Sequence, residues 1–225
     1  MSHENELKSL VWGAVLLVLA ACVPLVANGY WMSIALTIAM FTVLATSWSL
    51  FSGPTHYISL ATAAFFGVGG YLVGTGMSDY NMDFWTMVAI APVVGAVLAF
   101  LIGIATLRLS GVYFVIFTLG LAEMIRTLVS WIQNNFTGSR GLYVLTDLTE
   151  ADIYIYLVIL AALVYLVGWW VNRSRLGFAL RIIGNDETVA RHVGINTATS
   201  KVILFTFSGF VAALVGALIA PRYTY

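Results

Sequence analysis

Two oppositely charged residues, Glu123 and Arg126, lie three positions apart in a stretch that is otherwise uncharged over residues 109–139. On a helix this spacing puts both side chains on one face, where they can form an ion pair. Glu123 would lie roughly 21 Å along a helix that begins near residue 110. An ionisable residue at such depth in an apolar helix faces protein or water and is a functional candidate. The alternative is an ion pair that only fixes how two helices pack.

A second polar cluster lies in RLGFALRIIGNDETVARHVGIN, residues 175–196, between two long apolar runs. Asn185 is a suitable N-cap, with its side-chain oxygen free for the amides of the next turn. Gly194 suits the left-handed position that ends many helices, and Gly184 would separate this helix from the stretch before it. The intervening charges match the helix dipole, acidic at the amino end and basic at the carboxyl end: Asp186, Glu187, Arg191 and His192.

These signals predict a short helix from Asp186 to Val193. A helix of about eight residues is not stable by itself in water. Either the rest of the chain or a partner must therefore hold it in place.

Residue patterns typical of enzymes are absent from the sequence. His3, His56 and His192 are scattered, and there is no HExxH, GxSxG or Walker A motif. A single cysteine, Cys22, allows neither an internal disulfide nor a cysteine-based metal cluster. We therefore predict no catalytic residues, no metal ligands and no cofactor in this chain, which could not itself hydrolyse ATP.

The composition points to a membrane environment. Hydrophobic residues make up 61% of the 225 residues and charged residues 9%, whereas an average soluble domain is about 25% charged. The mean hydropathy is +0.96. We predict an all-α, polytopic integral membrane protein, because backbone groups in lipid must be bonded within helices. The formal net charge of zero gives no reason to expect nucleic acid as a partner.

The apolar runs divide into segments of membrane-spanning length. No Asp, Glu, Lys or Arg occurs between Lys8 and Asp79, and these 70 residues suit three crossings of about 20 residues. Pro24 with Asn28-Gly29, and then Ser52-Gly53-Pro54, indicate the two breaks. We predict about seven transmembrane helices, at residues 10–28, 31–51, 57–77, 84–106, 110–132, 153–171 and 201–220.

The basic residues predict the orientation of the helices. With a cytoplasmic N-terminus, seven basic residues lie on the inner side, namely Lys8, Arg108, Arg173, Arg175, Arg181, Arg191 and Lys201. The outer loops then hold two, Arg140 and Arg222. Lysine and arginine are enriched in cytoplasmic loops, so this orientation is favoured and puts residues 175–196 in the cytoplasm.

Small residues recur every four positions on two of the predicted spans, a pattern that lets membrane helices approach closely. They are Gly95, Ala99 and Gly103 on one span and Gly209, Ala213 and Ala217 on the other. The span at 57–77 is richer still, with Gly67, Gly69, Gly70, Gly74 and Gly76. Its glycines indicate either close packing or a bent or broken helix that lines a pathway.

Several motifs resemble those of a known family. ETVARHVGIN, residues 187–196, resembles the cytoplasmic EAA-type loop of importer permeases of the ATP-binding cassette class. SLATAAFFGVGGY, LRLSGVYFVIFTLGLAEMIR, TGSRGL and SRLGFALRIIGNDE then follow one another as in the branched-chain amino acid permease family, specifically its LivM-like subunits. That family also includes urea and short-amide permeases. The resemblance covers residues 45–220.

The resemblance implies a permease subunit of an ATP-driven importer for branched-chain or related amino acids, in the cell inner (plasma) membrane. Implied partners are a second, LivH-like permease subunit, two cytoplasmic ATPase subunits that bind ATP and Mg, and an extracytoplasmic substrate-binding protein. Residues 1–225 would form one permease domain, with residues 173–200 as its cytoplasmic coupling loop. Substrate would cross by alternating access driven by the ATPases.

Two groups of residues follow from this resemblance. The residues expected to couple to the ATPases are Asn185, Asp186, Glu187, Ala190, Arg191 and Gly194. Those expected along the substrate pathway are Ser59, Thr62, Tyr113, Thr118, Glu123 and Arg126. Where the family commonly reads Ser-Leu-Gly-His/Gln, this chain has Ser-Leu-Ala-Thr at residues 59–62, and it stops where the family continues with further spans.

An alternative from a different class is a gradient-driven transporter or a channel for a small polar solute, with Glu123 as the proton or ion site. Against it, no inverted repeat of broken helices is visible in the sequence. An intramembrane enzyme would need a nucleophile and a base on facing spans, and the sequence offers no such pair.

Overall fold

The computed structural model describes residues 13, 16–25, 27–107, 109, 111–137, 144 and 146–223. Within these ranges the regular structure is helical, with no strand, as predicted. The helices are α1 (Gly29–Thr55), α2 (Thr62–Ser78), α3 (Phe84–Thr106), α4 (Val112–Ile132), α5 (Glu150–Arg173), α6 (Arg175–Asn185), α7 (Glu187–His192) and α8 (Thr197–Ile219).

Five of these helices are long and apolar enough to cross a membrane, namely α1, α3, α4, α5 and α8. With 17 residues, α2 extends only about 26 Å, short of the ~30 Å hydrocarbon core. Within the first predicted span, residues 10–28, the structure describes residues 13, 16–25, 27 and 28, and of these residues 13 and 16–21 are α-helical. The predicted count of seven spans is therefore not confirmed, whereas the all-helical membrane character is.

The segment between α1 and α2 differs from the prediction. We expected a break at Ser52-Gly53-Pro54, but α1 continues to Thr55 and ends at His56, which adopts a left-handed φ of 57°. Pro54 has no N–H to donate to the carbonyl four residues before it, and the helix continues only one residue further, to Thr55. The next helix starts at Thr62 instead of residue 57. A tertiary contact holds the linker before it: Trp48 Nε1 donates to the Ser59 carbonyl at 2.8 Å.

The centre of the bundle is α8, which packs against α3, α2 and α1. The two predicted small-residue faces meet here. A Cβ on Gly95 would lie 2.3 Å from the Cβ of Ala213, and a Cβ on Gly209 would lie 2.4 Å from that of Ala99. The prediction of close helix approach at these faces is confirmed.

The glycines of α2 also serve close packing. A Cβ on Gly69 would lie 2.0 Å from the Ala213 carbonyl oxygen, and one on Gly216 of α8 would lie 2.0 Å from the Phe66 carbonyl oxygen. α2 is continuous from Thr62 to Ser78, so its glycines do not break the helix.

Side-chain contacts identify the two ends of the bundle. At one end, Lys201 near the start of α8 reaches Tyr57 after α1 and the Leu107 carbonyl after α3. At the other end, Arg222 after α8 donates to the Ser33 carbonyl near the start of α1 at 3.1 Å. Therefore α1 and α3 run in the same direction and α8 runs in the opposite one, while α2 with the linker before it connects the two ends.

Candidate functional site

The predicted short helix is present as α7, and its amino end differs from the prediction in one residue. Asp186 is the N-cap: its Oδ1 accepts from the amides of Thr188 at 2.7 Å and Val189 at 3.2 Å. Asn185, which we predicted as the cap, is instead the last residue of α6. A carboxylate satisfies two amides at the positive end of the helix more strongly than a neutral amide oxygen does.

The glycine before this helix has a different role from the one we predicted. We expected Gly184 to separate the short helix from the stretch before it, but Gly184 lies within α6. Its carbonyl lies 2.9 Å from His56 Nδ1, and a Cβ there would lie 2.2 Å from the Pro54 carbonyl oxygen. Gly184 therefore lets α6 lie directly against the end of α1.

The carboxyl end of α7 has the predicted glycine cap. Gly194 has a left-handed φ of 84°. The Ile195 amide donates to the Ala190 carbonyl at 3.0 Å, and the Gly194 amide to the Arg191 carbonyl at 3.0 Å. These two bonds form the Schellman arrangement that ends many helices.

Glu187 anchors α7 to the bundle. Its carboxylate accepts from Lys201 Nζ at 3.0 and 3.1 Å, and from the Tyr57 hydroxyl at 2.7 Å. Two further donors complete its shell, the Thr197 hydroxyl at 3.0 Å and Arg191 at 2.8 Å. We call Glu187, Lys201, Tyr57 and Thr197 the anchor cluster.

Lys201 carries the buried end of the anchor cluster. Its side chain is only 2% exposed. Besides Glu187, the ammonium donates to the Leu107 carbonyl at 3.1 Å and lies 4.4 Å from the centre of the Tyr57 ring. One cation thus joins α7, α8, the end of α3 and the linker after α1.

The anchor cluster sets the charge state of Glu187. Burial raises the pKa of its carboxyl group, but the hydrogen bonds from Tyr57, Lys201 and Arg191 outweigh burial and lower the pKa to about 2. Burial, together with the neighbouring carboxylate, raises the pKa of the Tyr57 hydroxyl. Glu187 is therefore ionised and Tyr57 neutral at physiological pH, which suits the observed donor and acceptor directions.

The opposite face of α7 is open. Ala190 is fully buried against the bundle, whereas Val189 and Val193 are 50% and 67% exposed. Spaced four residues apart, the two valines lie on one side of the helix. The coupling residues predicted from the sequence thus divide: Glu187 and Ala190 face inward, while Asn185, Asp186, Arg191 and Gly194 are exposed.

The Glu123–Arg126 ion pair forms, but it lies at the surface of the chain. Arg126 Nη2 is 2.6 Å from Glu123 Oε1, and the side chains are 76% and 63% exposed. Both line a cavity of about 400 Å³ between α2 and α4, a size within the usual range for small-molecule sites. Tyr71 also lines this cavity, and its hydroxyl, which is buried from solvent, has no hydrogen-bond partner among the described residues.

The other predicted pathway residues lie apart from this cavity. The Thr118 hydroxyl, fully buried, accepts from the Leu60 amide at 3.2 Å and so ties the linker to α4. Ser59 is buried in the same linker, Thr62 is half-buried at the start of α2, and Tyr113 is exposed on α4. The structure therefore joins Glu123 with Arg126, and Thr118 with the linker, but does not gather all six residues in one site.

Four residues of these sites were missed in the sequence. Lys201 counted only toward orientation, and Thr197, Tyr57 and Tyr71 were not singled out. Lys201 carried a usable signal, since it is a lone cation at the fifth position of an apolar helix. For Tyr57 and Tyr71 the sequence offers no comparable signal, because their partners are distant along the chain.

Together, the apolar spanning helices, the anchored short helix at one end and the charged cavity define a multi-pass membrane protein of the transport-permease class. A family model described as the permease component of branched-chain amino acid transport systems matches residues 30–225. The chain belongs to this family.

Individual relatives agree with this assignment. The chain is 27% identical over 250 aligned positions to the high-affinity branched-chain amino acid transport system permease protein LivM of Escherichia coli, and equally to LivM of Salmonella typhimurium. These alignments cover 97% of this chain and 59% of each relative. The L-arabinose transport system permease protein AraH of Escherichia coli is 33% identical over 63 residues, which is 28% of this chain and 19% of AraH. No solved structure matches the chain.

Proposed function

We propose that this chain is the transmembrane permease subunit of an ATP-binding cassette importer for branched-chain or related amino acids. The observation that carries the proposal is α7: a helix of six residues, capped at both ends, anchored to the bundle on one side and open on the other. The family match supports the transport role, and the names of the LivM relatives support the class of substrate.

In this proposal the open face of α7 docks on an ATPase subunit in the cytoplasm. Val189 and Val193 offer an apolar contact, and the exposed Arg191 a polar one beside it. ATP and Mg bind to the ATPase, not to this chain. When ATP closes the ATPases, α7 moves with them and shifts the helices to which it is anchored, which gives alternating access.

The pathway is proposed to run along the α2–α4 cavity. A Glu–Arg pair that is exposed on one subunit cannot face lipid at low cost, so this surface faces either water or a second permease subunit. An extracytoplasmic binding protein delivers the substrate to the outer end. Glu123 and Arg126 supply the charged groups that an amino acid needs along this route.

The proposal is tested by reconstituting the chain with its candidate ATPases, second permease and binding protein in proteoliposomes. We expect uptake of a branched-chain amino acid only when ATP is supplied on the side of the membrane where α7 lies. Uptake that continues without ATP and collapses with the proton gradient would contradict the proposal and favour the gradient-driven alternative.

The docking surface is tested by Val189→Asp, which adds a charge to the open face of α7 without touching the anchor cluster. We expect the ATPase subunits to be lost on co-purification. Tyr80→Asp is the matched control, since Tyr80 is 74% exposed at the opposite end of the bundle and should leave the association unchanged.

A further inference from the structure

Among the described residues, Lys201 is the one charged residue that is buried in the bundle. A lysine near a helix end usually extends its stem and keeps its ammonium in water. Here the ammonium instead lies among Glu187, Tyr57 and the Leu107 carbonyl. A buried ion pair contributes little net stability compared with apolar residues of similar volume. Stability alone is therefore a weak explanation for placing the charge there.

The pair has a distinctive position in the fold. The one buried residue of α7 is Ala190, whose methyl group gives the helix a small contact with the bundle, and Glu187 is half-buried. The strong bonds from α7 to the rest of the protein run through a single carboxylate. They lead to α8, the most buried of the spanning helices, and to the linker between α1 and α2.

The linker continues this connection towards the cavity. Tyr57 bonds Glu187, and three residues later the Leu60 amide donates to the Thr118 hydroxyl on α4. Thr62 then starts α2, and α2 and α4 are the two walls of the cavity that holds Glu123 and Arg126. An unbroken series of contacts thus joins α7 to both walls.

We propose that Lys201 and Tyr57 are positioning residues of the transport cycle, which hold Glu187 so that movement of α7 is transmitted to α8 and to the walls of the α2–α4 cavity. The inference rests on the proposed function and adds residues that do not themselves touch the ATPase or the substrate. In this inference Glu187 holds α7 to the bundle, whereas the sequence analysis expected it to couple to the ATPases.

The inference is tested with Glu187→Gln, Lys201→Met and the double variant in the reconstituted complex. Three quantities are measured: thermal stability, co-purification of the ATPases, and the amount of amino acid taken up per ATP hydrolysed. We expect each single variant to lower the uptake per ATP roughly tenfold, within the range that substitutions along a coupled network produce. The double variant removes both charges of the pair, so it should regain thermal stability but not the uptake per ATP.

Two further variants separate transmission from folding. Tyr57→Phe keeps the ring and removes the hydroxyl, so it should assemble normally and still lower the uptake per ATP. If the charge variants do not assemble, this variant alone distinguishes transmission from folding. Val202→Ala is the matched control, because it removes a buried side chain next to Lys201 without touching the anchor cluster. It should lower stability and leave the uptake per ATP unchanged.

A double variant that regains both stability and normal uptake per ATP would overturn the inference and make the pair purely structural. Normal uptake per ATP in Tyr57→Phe would overturn the role of Tyr57. If the wild-type complex shows no ATP-driven uptake, the proposed function itself fails, and the inference fails with it. Failure of the proposed function is seen in the wild-type complex alone, so it is distinguishable from failure of the inference about Lys201 and Tyr57.

Discussion

At the scale of single residues, Glu187 shows how one carboxylate can fix a helix that is too short to persist alone. It receives hydrogen bonds from two cations and two hydroxyls. Charge-assisted bonds of this kind are roughly twice as strong as neutral ones. The position of α7 on the bundle therefore depends on the ionisation of this residue.

This dependence predicts a response to acid. The pKa of Glu187 is lowered from 4.5 to about 2 in the folded protein, so its contribution to stability is fully present above pH 4.5. It is lost progressively as the pH falls from 4.5 through 2, when the carboxylate takes up a proton. We expect a spin label at Val193→Cys, in a Cys22→Ser background, to become mobile over this range.

The matched control for the acid response is Glu187→Gln, which carries no titrating group. Its label should be mobile already at neutral pH and should show no transition between pH 4.5 and 2. If Glu187 is unchanged and the label at Val193→Cys stays immobile down to pH 2, the role assigned to Glu187 is contradicted.

At the scale of elements, apolar periodicity and capping residues in the sequence predicted helix positions and helix contacts. The predicted span at 84–106 coincides with α3, and the small-residue faces meet as expected because packing in lipid favours small residues. The start of α2 was wrong by five residues, and Asn185 was wrong as a cap. For α2 the deciding contacts are tertiary, since Trp48 and Thr118 hold the linker. For the cap the reason is local, since the Asp186 carboxylate accepts from two amides.

The anchor cluster could not be predicted because its contacts are also tertiary. Tyr57 and Glu187 are 130 positions apart, and nothing in the residues around either one indicates the other. The Glu123–Arg126 pair was predictable because its partners are three residues apart on one helix. Local spacing reveals pairs within an element, whereas pairs between elements require the fold.

Close packing between α2 and α8 predicts a large effect of one methyl group. Gly69→Ala would place its Cβ 2.0 Å from the Ala213 carbonyl oxygen, and the clash with a rigid backbone should destabilise the protein by about 1–3 kcal/mol. Gly67→Ala is the matched control on the same helix, since a Cβ there meets nothing within 4 Å. Unfolding of both variants in detergent measures the difference, and equal stabilities would contradict the packing described for α8.

At the scale of the whole molecule, the two sites lie on one framework with distinct ends. The end that holds Tyr57, Leu107 and Lys201 also holds α7, while Ser33 and Arg222 meet at the other end. Five of the seven described basic residues lie towards the first end: Lys201 on α8, and Arg173, Arg175, Arg181 and Arg191 on α5, α6 and α7. Contacts and charge thus define the same polarity for the molecule.

This polarity predicts which end faces the cytoplasm. Because basic residues are retained on the inner side, α7 should be cytoplasmic and the loop between α2 and α3 should be outside. In a Cys22→Ser background, we expect a membrane-impermeant maleimide to label Tyr80→Cys in intact cells. Val193→Cys is comparably exposed on the chain and should be labelled only after the membrane is permeabilised. Labelling of Val193→Cys in intact cells would reverse the orientation, and α7 could then not reach a cytoplasmic ATPase.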